Sequence, residues 1–173
     1  MIKKEPLSTL SYDNANKIIV CNYSNKFIDL DNTKGLLKRA NIANTPDMLY
    51  INDNIKEIWF VEFKSSSKSN LDKLKEKIKL KKKIFAGLFL LYEIFCENSC
   101  EYKNYKKFYF VVYNKEEQIS YEDELLNLFD EDSERSIEFG LEDLKPQFLE
   151  DIFTNSCQVL KELFDKRFGI KFV

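Results

Sequence analysis

TPDMLYINDNIKEIWFVEFKSS, residues 45–66, decides how this chain is read. Asp47 follows a proline, and beyond a turn Glu62 and Lys64 stand two apart in an apolar run. The pattern predicts two strands, residues 46–52 and 55–64, paired as a hairpin around Asp53-Asn54. Residues two apart on a strand share a face, and so do residues directly opposite in an antiparallel pair. A two-residue turn at Asp53-Asn54 sets Asn52 opposite Ile55 and Asp47 opposite Phe60, so Asp47 joins the face of Glu62 and Lys64. A three-residue loop centred on Asp53 sets Asp47 across from Trp59, on the other face. Asp and Asn both tolerate positive φ, which favours the tighter turn.

Two carboxylates converging beside a lysine suit a hard cation, Mg²⁺ with Mn²⁺ as its substitute, because such an ion takes oxygen ligands and keeps several waters. Bound there, it polarises a phosphoryl oxygen and lowers the pKa of a water. The lysine orients that water or stabilises transition-state charge. Burying these groups beside Trp59, Val61 and Phe63 is costly unless they pair or bind a metal. The chain has no histidine, which excludes His-metal sites and Ser-His-Asp or Cys-His catalysis.

Outward from the hairpin, Ser69 reads as the cap of a long helix, with Asp72 completing a capping box. Leu71, Leu74, Ile78, Phe85, Leu88, Tyr92 and Phe95 form its apolar stripe, ending near Asn98. Residues 107–113, KFYFVVY, are apolar on both faces, as in the interior of a covered sheet. Strand, helix and strand in this order predict a parallel, right-handed crossover. On the N-terminal side, residues 17–23 and 26–31 read as two strands around Ser24-Asn25, and residues 33–41 as a short helix. Residues 120–130 and 146–166 read as helices, the latter with Leu149, Ile152, Phe153, Leu160, Leu163 and Phe164 on one face. The fold class expected is α/β: a mixed central sheet with an antiparallel hairpin and a βαβ crossover, helices on both faces, and extra C-terminal helices. Residues 1–173 read as a single domain, with 116–173 an acidic helical extension.

Pro46-Asp47 followed by Glu62-x-Lys64 on the next strand resembles the PD-(D/E)xK nuclease superfamily, whose core is a helix, three strands, a helix and a further strand. Residues 46–113 match the strand-strand-helix-strand portion of that order. The resemblance implies that Asp47, Glu62 and Lys64 are catalytic. It also implies that Asp47, Glu62 and the backbone carbonyl of Phe63 hold the metal, and that Lys64 serves the attacking water. Two features depart from the family: no clear acid stands on a first helix (Asp13, Asp29 and Asp31 are the candidates), and the Gln-x-x-x-Tyr motif of the exonuclease branch is absent.

Lys73, Lys75, Lys77, Lys79, Lys81, Lys82 and Lys83 crowd one stretch, with Lys68 before it. Phosphate contacts of this kind release counterions and give sequence-independent affinity. Lys68, Lys75, Lys79 and Lys82 are the residues expected to meet nucleic acid. Lysines at odd positions also wind around a helix, so a solvated face is the competing reading. From Glu116 to Asp151 acids dominate, and this region is a surface for a protein partner or a second copy, or simply faces water. The net charge of −2 over 173 residues rules out a histone-like basic binder. The four cysteines include no Cys-x-x-Cys, so reduced thiols in a cytoplasmic protein are expected. No signal peptide is visible, and residues 84–95 are too short to span a bilayer, so no membrane role is expected. The leading function is Mg²⁺-dependent cleavage of DNA phosphodiesters. The alternatives are a catalytically inactive nuclease-fold protein serving as a protein-interaction or DNA-binding module, and an unrelated α/β binding module.

Overall fold

The structure is a computed structural model that describes residues 3–33, 44–97, 102–114 and 137–173. Its elements are β1 (Lys4–Pro6), α1 (Leu7–Leu10), β2 (Tyr12–Asp13), β3 (Ile18–Ile19), β4 (Lys26–Asp29) and α2 (Leu30–Thr33). They continue with β5 (Met48–Asn52), β6 (Glu57–Ser67), α3 (Lys68–Leu71), α4 (Leu74–Glu97), β7 (Lys106–Asn114), β8 (Asp151–Asn155) and α5 (Cys157–Phe168). A six-stranded sheet has the order β1-β4-β5-β6-β7-β8, and β2 and β3 form a separate two-stranded unit. Pairings from β1 to β6 are antiparallel, whereas β6, β7 and β8 run parallel. This is the α/β architecture expected, with a mixed sheet, the hairpin and the β6–α4–β7 crossover. No helix among the described residues is long and apolar enough to cross a membrane.

Strand alternation sorts the side chains of β6 and β7 onto two cores. Ile58, Phe60, Tyr109 and Val111 pack with Leu80, Ile84, Leu90 and Leu91 of α4. Trp59, Val61, Phe63, Phe108, Phe110 and Val112 pack with Val159, Leu160, Leu163 and Phe164 of α5. Each large apolar side chain so buried contributes about 1.5–3 kcal/mol. Apolar residues on both faces of β7 follow from this two-sided cover.

Several elements differ from the sequence reading. Ser67, not Ser69, stands at the N-cap position of α3, without a side-chain capping bond, and the two serine hydroxyls hydrogen-bond each other. The chain then breaks at Asp72 before α4 begins, and the Asp72 carboxylate pairs with Lys77 instead of closing a box. The buried stripe of α4 is Leu80, Ile84, Gly87 and Leu91, while Leu74, Ile78, Phe85 and Tyr92 are exposed. The helix carries two apolar stripes, and the one containing Gly87 wins because it allows close approach to the sheet. A Cβ at Gly87 would stand 2.9 Å from Pro46 Cγ and Cδ and 3.1 Å from Phe60 Cε1.

Residues 18–19 pair with β2 rather than with β4, because β4 is taken by β1 and β5. Within 146–166, residues 151–155 are a strand. They extend along the open edge of β7, and only from Cys157 does the helix run, capped by Ser156. The C-terminal part of the presumed extension is thus built into the sheet and its cover. Residues 34–41 and 120–130 lie outside the described residues. Cys21 and Cys157 form a disulfide, in place of the reduced thiols expected, because the fold brings their Cα atoms to 5.7 Å.

Candidate active site

Asp47 sits at the bend before β5, and its position follows from the hairpin register. Asn52 pairs with Glu57 and Met48 with Val61, so a four-residue loop, 53–56, replaces the two-residue turn. Asn52 Oδ1 holds that loop by accepting from the N–H groups of Asn54 and Ile55, and Lys56 adopts a positive φ. Relative to the expected register the partner of every β5 residue moves by two, so Asp47 comes beside Glu62 instead of Phe60. A two-residue shift keeps the face, since the side-chain period of a strand is two. Asp47, Glu62 and Lys64 therefore converge.

The contacts are close. The Phe63 N–H donates to Asp47 Oδ2 at 2.8 Å. Phe63 thus meets the Asp47 carboxylate through its N–H. Glu62 is fully buried, while the side chains of Asp47 and Lys64 keep 18 % and 19 % of their surface exposed. Lys64 Nζ lies 2.9 Å from Glu62 Oε1. Lys83, reaching down from α4, is the functional-site residue that the strand pattern did not single out. Its Nζ is 3.0 Å from Asp47 Oδ1, 2.7 Å from Glu62 Oε2 and 2.6 Å from Glu62 Oε1. Glu62 Oε1 is met by two ammonium groups without a well-angled hydrogen bond from either. In sequence Lys83 is one of a run of lysines, and only its place one turn before Gly87 on the buried stripe sets it apart.

Burial pushes the Asp47 carboxyl up to about 7; the Glu62 charge adds to this, and Lys83 with the Phe63 N–H works against it. Burial opposes the Lys83 ammonium, but the charges of Glu62 and Asp47 outweigh it and hold its pKa above the ordinary lysine range. Tyr109, on β7, turns a fully buried hydroxyl to the same region. Burial first, then Glu62 and Asp47, raise its pKa well above the usual phenol value. That hydroxyl has no hydrogen-bond partner among the described residues, and a buried unsatisfied donor costs about 1–3 kcal/mol.

The acids considered for a first helix lie elsewhere. Asp13 accepts from Ser65 Oγ and from Asn16, which holds its carboxyl down at about 2. Asp29 accepts from Asn32, and Asp31 from Thr45 Oγ1 at 2.7 Å. Among the expected nucleic-acid contacts, Lys68 pairs with Glu138 at 2.6 Å and Lys79 with Glu76, while Lys75 and Lys82 are exposed. Lys77 and Lys81 are likewise taken by Asp72 and Asp143. Glu138 also accepts from Tyr113 Oη at 2.7 Å, beside Lys64 in the β6–β7 register. Nothing in its acidic sequence context marks that role.

The donor set suits a hard cation in part. Asp47 Oδ1 and both Glu62 oxygens point at one place, now filled by an ammonium, and oxygen donors match Mg²⁺ chemistry. No third His, Cys, Asp or Glu joins them among the described residues. Other ligands have to be backbone carbonyl, water or substrate. No family model, curated protein or solved structure matches this chain.

Proposed function

We propose that this chain is a Mg²⁺-dependent nuclease that cleaves DNA phosphodiesters at the Asp47–Glu62–Lys64 cluster. The observation that carries the reading is convergence: oxygens from the bend before β5 and from β6 focus on one cation position, with a second ammonium, that of Lys64, alongside. The succession β4, β5, β6, α4, β7 supports it too, because it follows the three-strand, helix, strand part of the superfamily core that the motif resembles. Asp47 and Glu62 hold the cation, with the Phe63 carbonyl as a further ligand. When bound, the metal polarises the phosphate and acidifies a water. Lys64, partly exposed beside Glu62, orients the nucleophile and stabilises charge developing on phosphate oxygens. Glu62, out of contact with water, sets the floor against which these groups are fixed. Lys75 and Lys82, rather than the paired lysines, supply backbone affinity for DNA, and a protein partner or second copy meets the acidic region after Glu116.

A second reading is favoured by Lys83. Its ammonium meets both carboxylates, so the acids have a counter-ion without a metal, as in an inactive nuclease-fold protein used for binding. Cleavage of single-stranded, duplex and branched DNA with Mg²⁺ or Mn²⁺ separates the two. Under the first reading Asp47→Ala and Glu62→Ala lose metal affinity and cleavage together. Lys64→Ala keeps metal binding while turnover falls about 10²–10³-fold, as for a lost transition-state donor. Wild-type protein that binds no metal at millimolar concentration ends the nuclease reading.

A further inference from the structure

Among the lysines of α4, Lys83 is turned toward the sheet and keeps only 17 % of its side-chain surface exposed. Gly87, one turn later, lets the helix close onto Pro46, the neighbour of Asp47, and the Lys83 ammonium reaches that acid. Its ammonium has three donors and no acceptor capacity. Nζ lies within 3.0 Å of one oxygen of Asp47 and within 2.7 Å of both oxygens of Glu62. Lys64 differs: among the described contacts its ammonium meets Glu62 Oε1, at 2.9 Å, and not Asp47. The two strands thus present one cation position, and the helix fills it.

We propose that Lys83 is a resident counter-ion that competes with a divalent cation for Asp47 and Glu62, so that the site opens to metal only when this side chain swings out. The inference rests on the metal-dependent reading above and deepens it by naming what regulates the site. A Mg²⁺ ion needs short bonds of about 2.0–2.1 Å to these same oxygens, which leaves no room for an ammonium at the focal point. The aliphatic stem of lysine is flexible and the side chain is partly exposed, so withdrawal toward solvent needs no movement of α4. Once withdrawn, the ammonium stands at the entrance, where it faces an incoming phosphate.

Isothermal titration with Mn²⁺ tests this on wild type, Lys83→Met, Lys64→Met and Lys83→Arg. The expected result is that Lys83→Met binds about tenfold tighter or more, since a cation at the site is removed. Lys64→Met gains less, and Lys83→Arg, which keeps the charge, gains nothing. Thermal unfolding gives an independent readout. Lys83→Met is less stable than wild type without metal and regains more stability than wild type when Mn²⁺ is added. Wild type that binds Mn²⁺ with Lys83→Met no tighter overturns the competition while leaving the metal site standing. Binding by Lys83→Met alone supports the competition but ends the nuclease reading for the native chain, whose carboxylates its own lysine then holds closed. If neither binds, the competition and the metal reading fall together.

Discussion

Strand β6 carries two buried acids, Glu57 and Glu62, on opposite faces of the sheet, and they live in different electrostatic worlds. Glu57 accepts from Arg167 through both Nε and Nη2 and from Trp59 Nε1 at 3.0 Å. The guanidinium also lies over the Trp59 and Phe108 rings, which stack at 4.4 Å. One carboxylate meets one fork of matched geometry, so each donor shown has a partner. Around Glu62 a second carboxylate and two ammonium groups crowd together, and the Tyr109 hydroxyl has no partner. A buried acid is therefore no sign of function by itself. Convergent like charges that need an added cation, or a lysine in its place, are the sign.

The contrast is tested most severely by removing one charge from each face. Glu62→Gln leaves the Lys64 and Lys83 ammonium groups without the buried Glu62 charge that both meet, and a broken buried pair of this kind costs about 3–5 kcal/mol. Glu57→Gln costs less, about 1–2 kcal/mol, because the Arg167 side chain is 38 % exposed and turns to water. Denaturant unfolding measures both, and Mn²⁺ titration should respond only to the first. Equal destabilisation, or metal binding that follows Glu57, would erase the distinction.

Gly87→Val is expected to come next in size. Its Cβ meets Pro46 and Phe60 at 2.9 and 3.1 Å, and overpacking of this type costs about 1–3 kcal/mol. Because the substitution lifts α4 where Lys83 descends, it should also disturb the Lys83–Asp47–Glu62 contacts, whereas the Trp59 environment on the opposite face stays as it is. Trp59 fluorescence alongside the melting curve checks this, and a large change in the tryptophan signal would contradict it.

A further test is the dependence on pH. Asp47 titrates in the folded protein at about 7, above its unfolded value of about 4. A folded state that binds a proton more tightly loses stability as pH rises, so this contribution is complete below pH 4 and gone above about pH 7. Asp13, held at about 2, acts in the opposite sense, and its contribution is lost only below about pH 4. Stability measured from pH 5 to 8 should therefore fall in wild type and stay flatter in Asp47→Asn. A slope that survives in Asp47→Asn would assign the titration to another group.

The sequence alone determined that Asp47, Glu62 and Lys64 share a face, and it did so despite a wrong register. A four-residue loop replaced the expected turn, yet a shift of two residues leaves every side chain on its original side. It also determined the β6–α4–β7 crossover and the double burial of β7, because period and apolar content are local properties of the chain. Tertiary structure decided the rest. Local periodicity could not rank two apolar stripes on α4, and close approach at Gly87 settled which one is buried. The apolar spacing of residues 149–164 fitted a helix, but pairing with the open edge of β7 made 151–155 a strand. Lys83 could not be told from its neighbours until the packed helix aimed it at two carboxylates separated from it by 36 and 21 positions. Such contacts depend on how distant segments meet, and no pattern within one segment records that.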